Sequence, residues 1–331
     1  MFGNQDIPTL FDRMSNLRVM IIGDVMIDSY MWGNVERMSP EAPVPVVEIV
    51  KKEERLGGAA NVALNIMSMG ATPFICSVVG NDSKGKLFTK RLEERSFSSR
   101  GMVLSDDRIT TDKTRIISDG QHVLRVDEEI TDDLNQSDEQ ALLSRAFDLI
   151  DNENIDVIIL EDYNKGVLTE KVISAVIKKA NEHSIPTTVD PKKKNFFAFT
   201  NCTLFKPNLL ELQIGTDTAF SGDDAEALLQ AVVEVEARLG NAYSLITLSE
   251  CGIFVKHDGK FENIPAHQRD ILDVSGAGDT VISVASLALA AGCTPSQIAA
   301  LSNLAGGLVC EKVGVVPILK NTLLEETLSL V

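Results

Sequence analysis

Carboxylates, lysines and glycines fall in a few short groups along this chain. The sharpest is Asp273-Val-Ser-Gly-Ala-Gly-Asp279-Thr-Val281, immediately before a long apolar stretch. Small residues at 276–278 let backbone N–H groups approach an anion closely at a helix start, with the positive end of the dipole behind them. An Asp in that first turn repels phosphate, so Asp279 reads as a base for a hydroxyl that attacks phosphate. Ser275 and Asp279 read equally as ordinary helix caps. Val281 occupies the third glycine position of a dinucleotide fingerprint and weakens that alternative.

Gly57-Gly-Ala-Ala-Asn61 opens another helix. It offers close backbone approach, with Asn61 able to donate to and accept from a polyol, or it is a plain turn. Gly23-Asp24-Val-Met-Ile-Asp28 follows a short apolar run. Its two carboxylates stand at a strand end, where α/β proteins bind ligands, and could bracket sugar hydroxyls; solvated loop acids are the alternative. Asp162-Tyr-Asn-Lys165-Gly166, Asp190-Pro-Lys192-Lys193-Lys194 and Lys206-Pro-Asn208-x-x-Glu211 follow three later strands. Doubly wound topology converges such ends on one crevice. Asn208 and Glu211 share a helix face and could hold water on Mg²⁺, or Glu211 simply favours the dipole. Lys113 and Arg115, two apart on a strand, share one face and could grip a phosphate, or lie on an exposed strand surface. Gly80-Asn-Asp-Ser-Lys-Gly85-Lys86-Leu87 copies a P-loop but lacks the hydroxyl that holds magnesium.

The elements that must carry these groups alternate. An apolar run at 18–23 and strands near 72–79, 157–160, 186–190, 203–205 and 244–248 are interleaved with helical patterns near 59–69, 84–94, 137–150, 169–182, 208–213 and 223–238. A hairpin at 252–265 and Ala-rich helices at 277–291 and 295–312 follow. This predicts an α/β fold with a parallel sheet covered by helices on both faces. Two segments break the alternation: 33–50, rich in proline, and 113–126, with Asp119-Gly120 as a hairpin turn. They predict a small β-layer beside one domain spanning 1–331.

The 331 residues carry a formal charge of −17, which disfavours nucleic acid and anionic membranes as partners. Five cysteines without a C-x-x-C pair suggest reduced, buried thiols and a cytoplasmic protein. The first 18 residues do not read as a signal peptide, and the longest apolar run is too short for a membrane span. The four histidines lack metal spacing.

In this order the motifs resemble the ribokinase-like, PfkB-type carbohydrate kinases over about residues 18–318. Within that family they resemble in particular the D-glycero-β-D-manno-heptose-7-phosphate kinases of lipopolysaccharide precursor synthesis. Gly23–Asp28, Ser39-Pro-Glu-Ala-Pro-Val-Pro-Val46, Asp162–Gly166 and Asp273–Val281 carry that resemblance. It implies a Rossmann-type sheet with a small β-lid, often a homodimer interface. It also implies transfer of the ATP γ-phosphate to the anomeric oxygen, giving heptose 1,7-bisphosphate for ADP-heptose synthesis.

By carry-over, Asp279 is the base and Gly276, Ala277 and Gly278 form the anion hole. Asp24, Asp28, Gly58, Asn61, Lys165, Asp190 and Lys192 face the sugar. Asn208, Thr247, Ser249, Gly252 and Asn303 face the nucleotide, and Glu211 serves Mg²⁺ through water. A substrate with a 7-phosphate needs cations away from the reacting end, and Lys113, Arg115, Lys165 and Lys192–Lys194 could supply them. Two departures stand out. Ser249 replaces a glycine usual in the nucleotide loop, and Val313-Gly-Val-Val-Pro317 lacks the small polar residues of a monovalent-cation site. The chain stops at Val331 without a histidine-rich nucleotidyl-transfer motif, so it reads as kinase alone. The alternatives are a fructose, ribose or adenosine kinase of this fold, or a non-catalytic sugar- or nucleotide-binding protein on it.

Overall fold

The computed structural model describes residues 6–330. Helix α1 (Ile7–Ser15), capped by Asp6, leads into strand β1 (Arg18–Gly23). The chain then crosses directly into β2 (Val25–Met38) and returns as β3 (Pro45–Gly58) to start α2 (Ala59–Ser68). Strand β4 (Thr72–Gly80), helix α3 (Ser83–Glu93) and strand β5 (Met102–Ser105) follow, then the hairpin β6 (Asp112–Ser118) and β7 (Gln121–Glu128). Asp119 and Gly120 at its turn have φ of 51° and 75°, the left-handed pair that a two-residue hairpin demands.

Regular alternation takes over with α4 (Gln136–Asn152), β8 (Val157–Glu161), α5 (Glu170–Glu182), β9 (Thr187–Asp190), β10 (Leu204–Phe205), α6 (Leu209–Thr216), α7 (Ala225–Leu239) and β11 (Tyr243–Thr247). The hairpin β12 (Ile253–His257) and β13 (Lys260–Ile264) precedes three helices, α8 (Ala277–Ala290), α9 (Pro295–Cys310) and α10 (Lys320–Ser329).

The main sheet has nine strands in the order β13-β12-β11-β10-β9-β8-β1-β4-β5. It is parallel from β5 to β11, and β12 and β13 pair antiparallel at one edge. Period-2 side-chain alternation splits its apolar residues between two cores. Val19, Ile21, Val157 and Ile159 pack on one face with α1, α2, α8 and α9. Met20, Ile22, Ile158 and Leu160 pack on the other with α4, α5 and α7. Burial on both faces is why these strands read as unbroken apolar runs. The architecture is a three-layer α/β sandwich, helices on both faces of a mostly parallel sheet.

The second sheet, ordered β3-β2-β6-β7, contains the segments 33–50 and 113–126. It is larger than those segments, because β2 begins at Val25 and β3 runs to Gly58. The apolar-to-polar change near residue 31 hid this: β2 is buried at its start and exposed at its end. Pro45 begins β3, an edge strand, where a missing N–H costs no ladder bond. Helix α1 shows its Asp6 cap, Pro8 in the first turn and an apolar face at 7, 10, 11 and 14, whereas α10 carries no strong sequence signal; the two pack on one another and against α8 and α9 through Leu10, Phe11, Met14 and Leu323.

Candidate active site

The ends of β1, β8 and β9 and the starts of α2 and α8 meet over the sheet. Gly276 caps α8 at φ 80°, a left-handed conformation that a side chain resists, and a Cβ there would meet Val315 Cγ1 at 3.0 Å. First-turn amides have no acceptor within their helix, so they are available to an anion. The Ala277 amide is the exception, bonding to Val274 O at 3.2 Å.

Asp279 lies in that first turn and is 7% exposed. Its Oδ2 accepts from Asn61 Nδ2 at 2.6 Å and its Oδ1 from the Tyr163 hydroxyl at 2.7 Å. Burial pushes its carboxyl up to about 6, against the pull of those two hydrogen bonds. A base with that value is ionised at neutral pH yet still takes a proton readily.

Beside it stand Glu161 and Asp190, from the ends of β8 and β9. One oxygen from each of the three carboxylates lies within 4.8 Å of the others. Burial, then the Asp190 charge, pushes Glu161 well up. Glu161 Oε2 and Asp190 Oδ1 have no hydrogen-bond partner among the described residues. Lys206 is 2% exposed and holds Asp190 Oδ2 at 2.9 Å. Lys192 reaches Glu211 and stands 3.7 Å from Asp190 Oδ1. Burial opposes its charge, but Asp190 and Glu211 together raise it. Hard, partly orphaned oxygens in a buried cluster suit a small divalent cation.

Glu211 is differently engaged. It forms a reciprocal capping box with Asn208: Asn208 Oδ1 accepts from the Glu211 amide at 2.8 Å, and Glu211 Oε2 from the Asn208 amide at 2.9 Å. The remaining oxygen takes Lys192. The helix-start reading of this pair is the one its hydrogen bonds show.

The sugar-side residues divide. Asp28 is clamped by Arg115, Nη1 to Oδ1 at 2.6 Å. The bare Cα of Gly57 gives that carboxylate its room, since a Cβ would lie 2.1 Å from Asp28 Oδ2. Gly58 caps α2 at φ 61°, and the Ala59 amide donates to Asp24 O at 2.9 Å. Asp24 itself is 1% exposed, and its carboxylate is taken by the amides of Tyr163, Lys165 and Val167 at 2.8, 3.0 and 3.0 Å. It ties down the loop after β8. Lys113 and Lys165 converge on one carboxylate, Glu129, at 2.9 and 2.7 Å. Although burial works the other way, the two lysines hold Glu129 below its ordinary range. Lys194 pairs instead with Asp133, and Lys193 lines a separate open surface hollow with Lys171 and Phe197.

The residues that the resemblance assigns to a nucleotide lie along the edge formed by β11, β12 and α9. Thr247 ends β11 and bridges to Asn208. Ser249, at φ 51°, takes the conformation that a glycine would adopt more readily, which accounts for glycine being usual there. Gly252, at φ 92°, leaves no room for a side chain, since a Cβ would lie 2.0 Å from Ile264 O, and Asn303 Nδ2 donates to Pro265 O at 2.8 Å. The P-loop alternative fails: Asp82 caps α3 and its carboxylate takes the amides of Gly85 and Thr110, where a phosphate would have to sit.

Tyr163, Glu161, Lys206 and Glu129 were not singled out from the sequence. Tyr163 and Lys206 lie inside sequence motifs without a role of their own, and Glu161 is a charge ending an apolar strand, a legible signal. Glu129 had none.

A buried carboxylate behind a glycine-rich helix start, on this α/β fold, defines a class of phosphotransferase. Residues 16–321 match the pfkB family of carbohydrate kinases, and the chain belongs to that family. It is an ATP-dependent sugar kinase. It is 38% identical to the bifunctional protein HldE of Citrifermentans bemidjiense over 311 residues, 94% of this chain and 63% of that protein. It is 40% identical to the HldE of Helicobacter acinonychis, over 90% of this chain and 63% of that protein. The chain thus spans less than two thirds of these relatives. Phosphofructokinase-2 from Escherichia coli in complex with potassium superposes with a TM-score of 0.79 at 15% identity, covering 95% of this chain and 99% of that one. Arabidopsis thaliana ribokinase complexed with ribose and ATP gives 0.70 at 17% identity, covering 94% and 98%. No helix among the described residues is long and apolar enough to cross a membrane.

Proposed function

We propose that the enzyme transfers the γ-phosphate of ATP to the anomeric oxygen of D-glycero-β-D-manno-heptose 7-phosphate, yielding the 1,7-bisphosphate for ADP-heptose synthesis. The observation that carries the chemistry is Asp279, buried at the α8 start and oriented by Asn61 and Tyr163. Asp279 takes the proton of the anomeric hydroxyl as that oxygen attacks the γ-phosphorus and the bond to the ADP oxygen breaks. The amides of Gly276 and Gly278 stabilise the charge on the transferring group, while Ala277, whose amide bonds to Val274 O, keeps the turn in shape. Asp28 and Asn61 bind sugar hydroxyls, with Gly58 giving them close approach. Asp24 shapes the loop that carries Lys165. Asn208, Thr247, Ser249, Gly252 and Asn303 bind the nucleotide.

Glu161 and Asp190 would hold Mg²⁺, with Glu211 contributing through water and Lys192 relaying between Asp190 and Glu211. When bound, the cation neutralises charge on the nucleotide phosphates. The substrate assignment rests on the Ser39–Val46 and Asp162–Gly166 motifs and on the similarity to the HldE proteins. It is further supported by Lys113, Arg115 and Lys165, cations grouped near Asp28 and Glu129 in an acidic chain. The second sheet is proposed as a lid and homodimer face, and the cytoplasm as the compartment.

A coupled ADP-release assay with ATP, Mg²⁺ and a panel of heptose 7-phosphate, heptose, fructose, ribose and adenosine tests the assignment. Turnover concentrated on heptose 7-phosphate is expected. Turnover only on an unphosphorylated acceptor overturns the substrate, and silence across the panel overturns the kinase chemistry.

A further inference from the structure

We propose that Glu129 is an internal counter-ion. It fills the subsite for the sugar's distal phosphate, between Lys113 and Lys165, until a phosphorylated sugar displaces it, and so sets the preference for phosphorylated over plain sugar. This rests on the sugar-phosphate reading above.

The two lysines come from different bodies of the protein. Lys113 lies on lid strand β6, and Lys165 on the loop after β8 of the main sheet. Glu129 follows the end of β7 and bridges them, Oε2 to Lys113 and Oε1 to Lys165. The lysine side chains are only 14% and 15% exposed, and that of Glu129 is 23% exposed. The ammonium groups are therefore partly stripped of water and need an anion. Lys113 has a second one, Asp127 at 2.9 Å, itself shared with Arg125 at 2.9 Å. Lys165 has Glu129 as its ion-pair partner. A third cation, Arg108, donates to the backbone carbonyls of Lys165, Ile130 and Asp132 and adds positive charge to the same corner.

The position matches one end of a long sugar. Tyr163, two residues before Lys165, touches the base Asp279. Two residues of backbone span at most about 7 Å, so one loop serves the reacting end and, through the lysine stem, a point beyond it. Asp24 fixes that loop by three amides. A phosphate monoester carries nearly two charges at neutral pH and three acceptor oxygens, against one charge and two oxygens on Glu129. It can replace Glu129 on both lysines. A plain sugar brings nothing that displaces it, and the lysines stay neutralised.

The test compares kcat/KM for heptose 7-phosphate with that for heptose, on one preparation at a time, so that any misfolded fraction cancels in the ratio. Glu129→Gln removes the competing charge and keeps the shape. Two largely buried ion pairs are lost to the competitor, so the ratio is expected to rise about fivefold. Lys165→Met is expected to lower the ratio at least tenfold, since a charge-assisted contact to phosphate is removed. A Glu129→Gln ratio equal to or below wild type, or a Lys165→Met ratio unchanged, overturns the role of Glu129 while leaving the substrate reading intact. A wild-type ratio at or below unity overturns that reading, and the inference with it.

Discussion

Replacing Asp279 by Asn is expected to abolish turnover and at the same time stabilise the protein. The carboxyl is held at about 6 instead of its ordinary 3.8, with burial as the main cause. A carboxyl raised on folding favours the protonated folded state. Its ionised form therefore costs stability, absent below pH 3.8, growing between 3.8 and 6, and fully present above 6. That difference is on the order of 3 kcal/mol at pH 7. Asn is neutral at every pH and removes the penalty along with repulsion from Asp190. It can still accept one of the two hydrogen bonds from Asn61 and Tyr163, so part of the gain is offset by about 1 kcal/mol. The net is on the order of 1–2 kcal/mol, a rise of a few degrees in Tm for a chain of this size.

A general base contributes about 10²–10⁴-fold, equivalent to roughly 3–5 kcal/mol of transition-state stabilisation. The assay pairs ADP release at saturating ATP and sugar with thermal unfolding at pH 7 and at pH 5. Turnover should fall at least 100-fold while Tm rises at pH 7, with a smaller rise at pH 5. Turnover within tenfold of wild type, or a Tm that falls at pH 7, would refute the argument.

Below pH 6 the wild-type kcat/KM should drop about tenfold per unit as Asp279 is protonated, and a flat profile between pH 5 and 7 would contradict its role as base. Tyr163→Phe deletes the hydrogen bond to Asp279 Oδ1 and should lower kcat about tenfold with KM for ATP unmoved, checked by steady-state kinetics. Asp24→Asn leaves the three loop amides with a single good acceptor but also removes a charge that burial disfavours, so the two effects on stability oppose each other; the loosened loop should raise KM for the sugar more than it lowers the urea midpoint, read by steady-state kinetics beside urea unfolding. Gly276→Ala forces a side chain into a left-handed cap 3.0 Å from Val315 and should reduce kcat more than stability, read by kinetics beside thermal melts.

The order of elements was determined by the sequence itself. Strands buried on both faces are near-continuous apolar runs, helices repeat every 3.6 residues, and Asp119-Gly120 demands a tight hairpin; each signal is local. The glycine-rich helix start was equally legible, because Gly276-Ala-Gly278-Asp279 places its small residues and its carboxylate within four positions. The lid was read in part. Its strands change from buried to exposed along their length, so no single periodicity marks Val25 or Gly58 as members. What only the tertiary structure decided is which charges meet. Asp279 finds Tyr163 116 residues away and Asn61 218 away, and Glu129 gathers Lys113 and Lys165. Asp24 read as a ligand for sugar, yet it is spent on three amides from a loop about 140 residues downstream. Side-chain pairing depends on distances that close only when strands from both halves align, and a linear pattern carries no record of them.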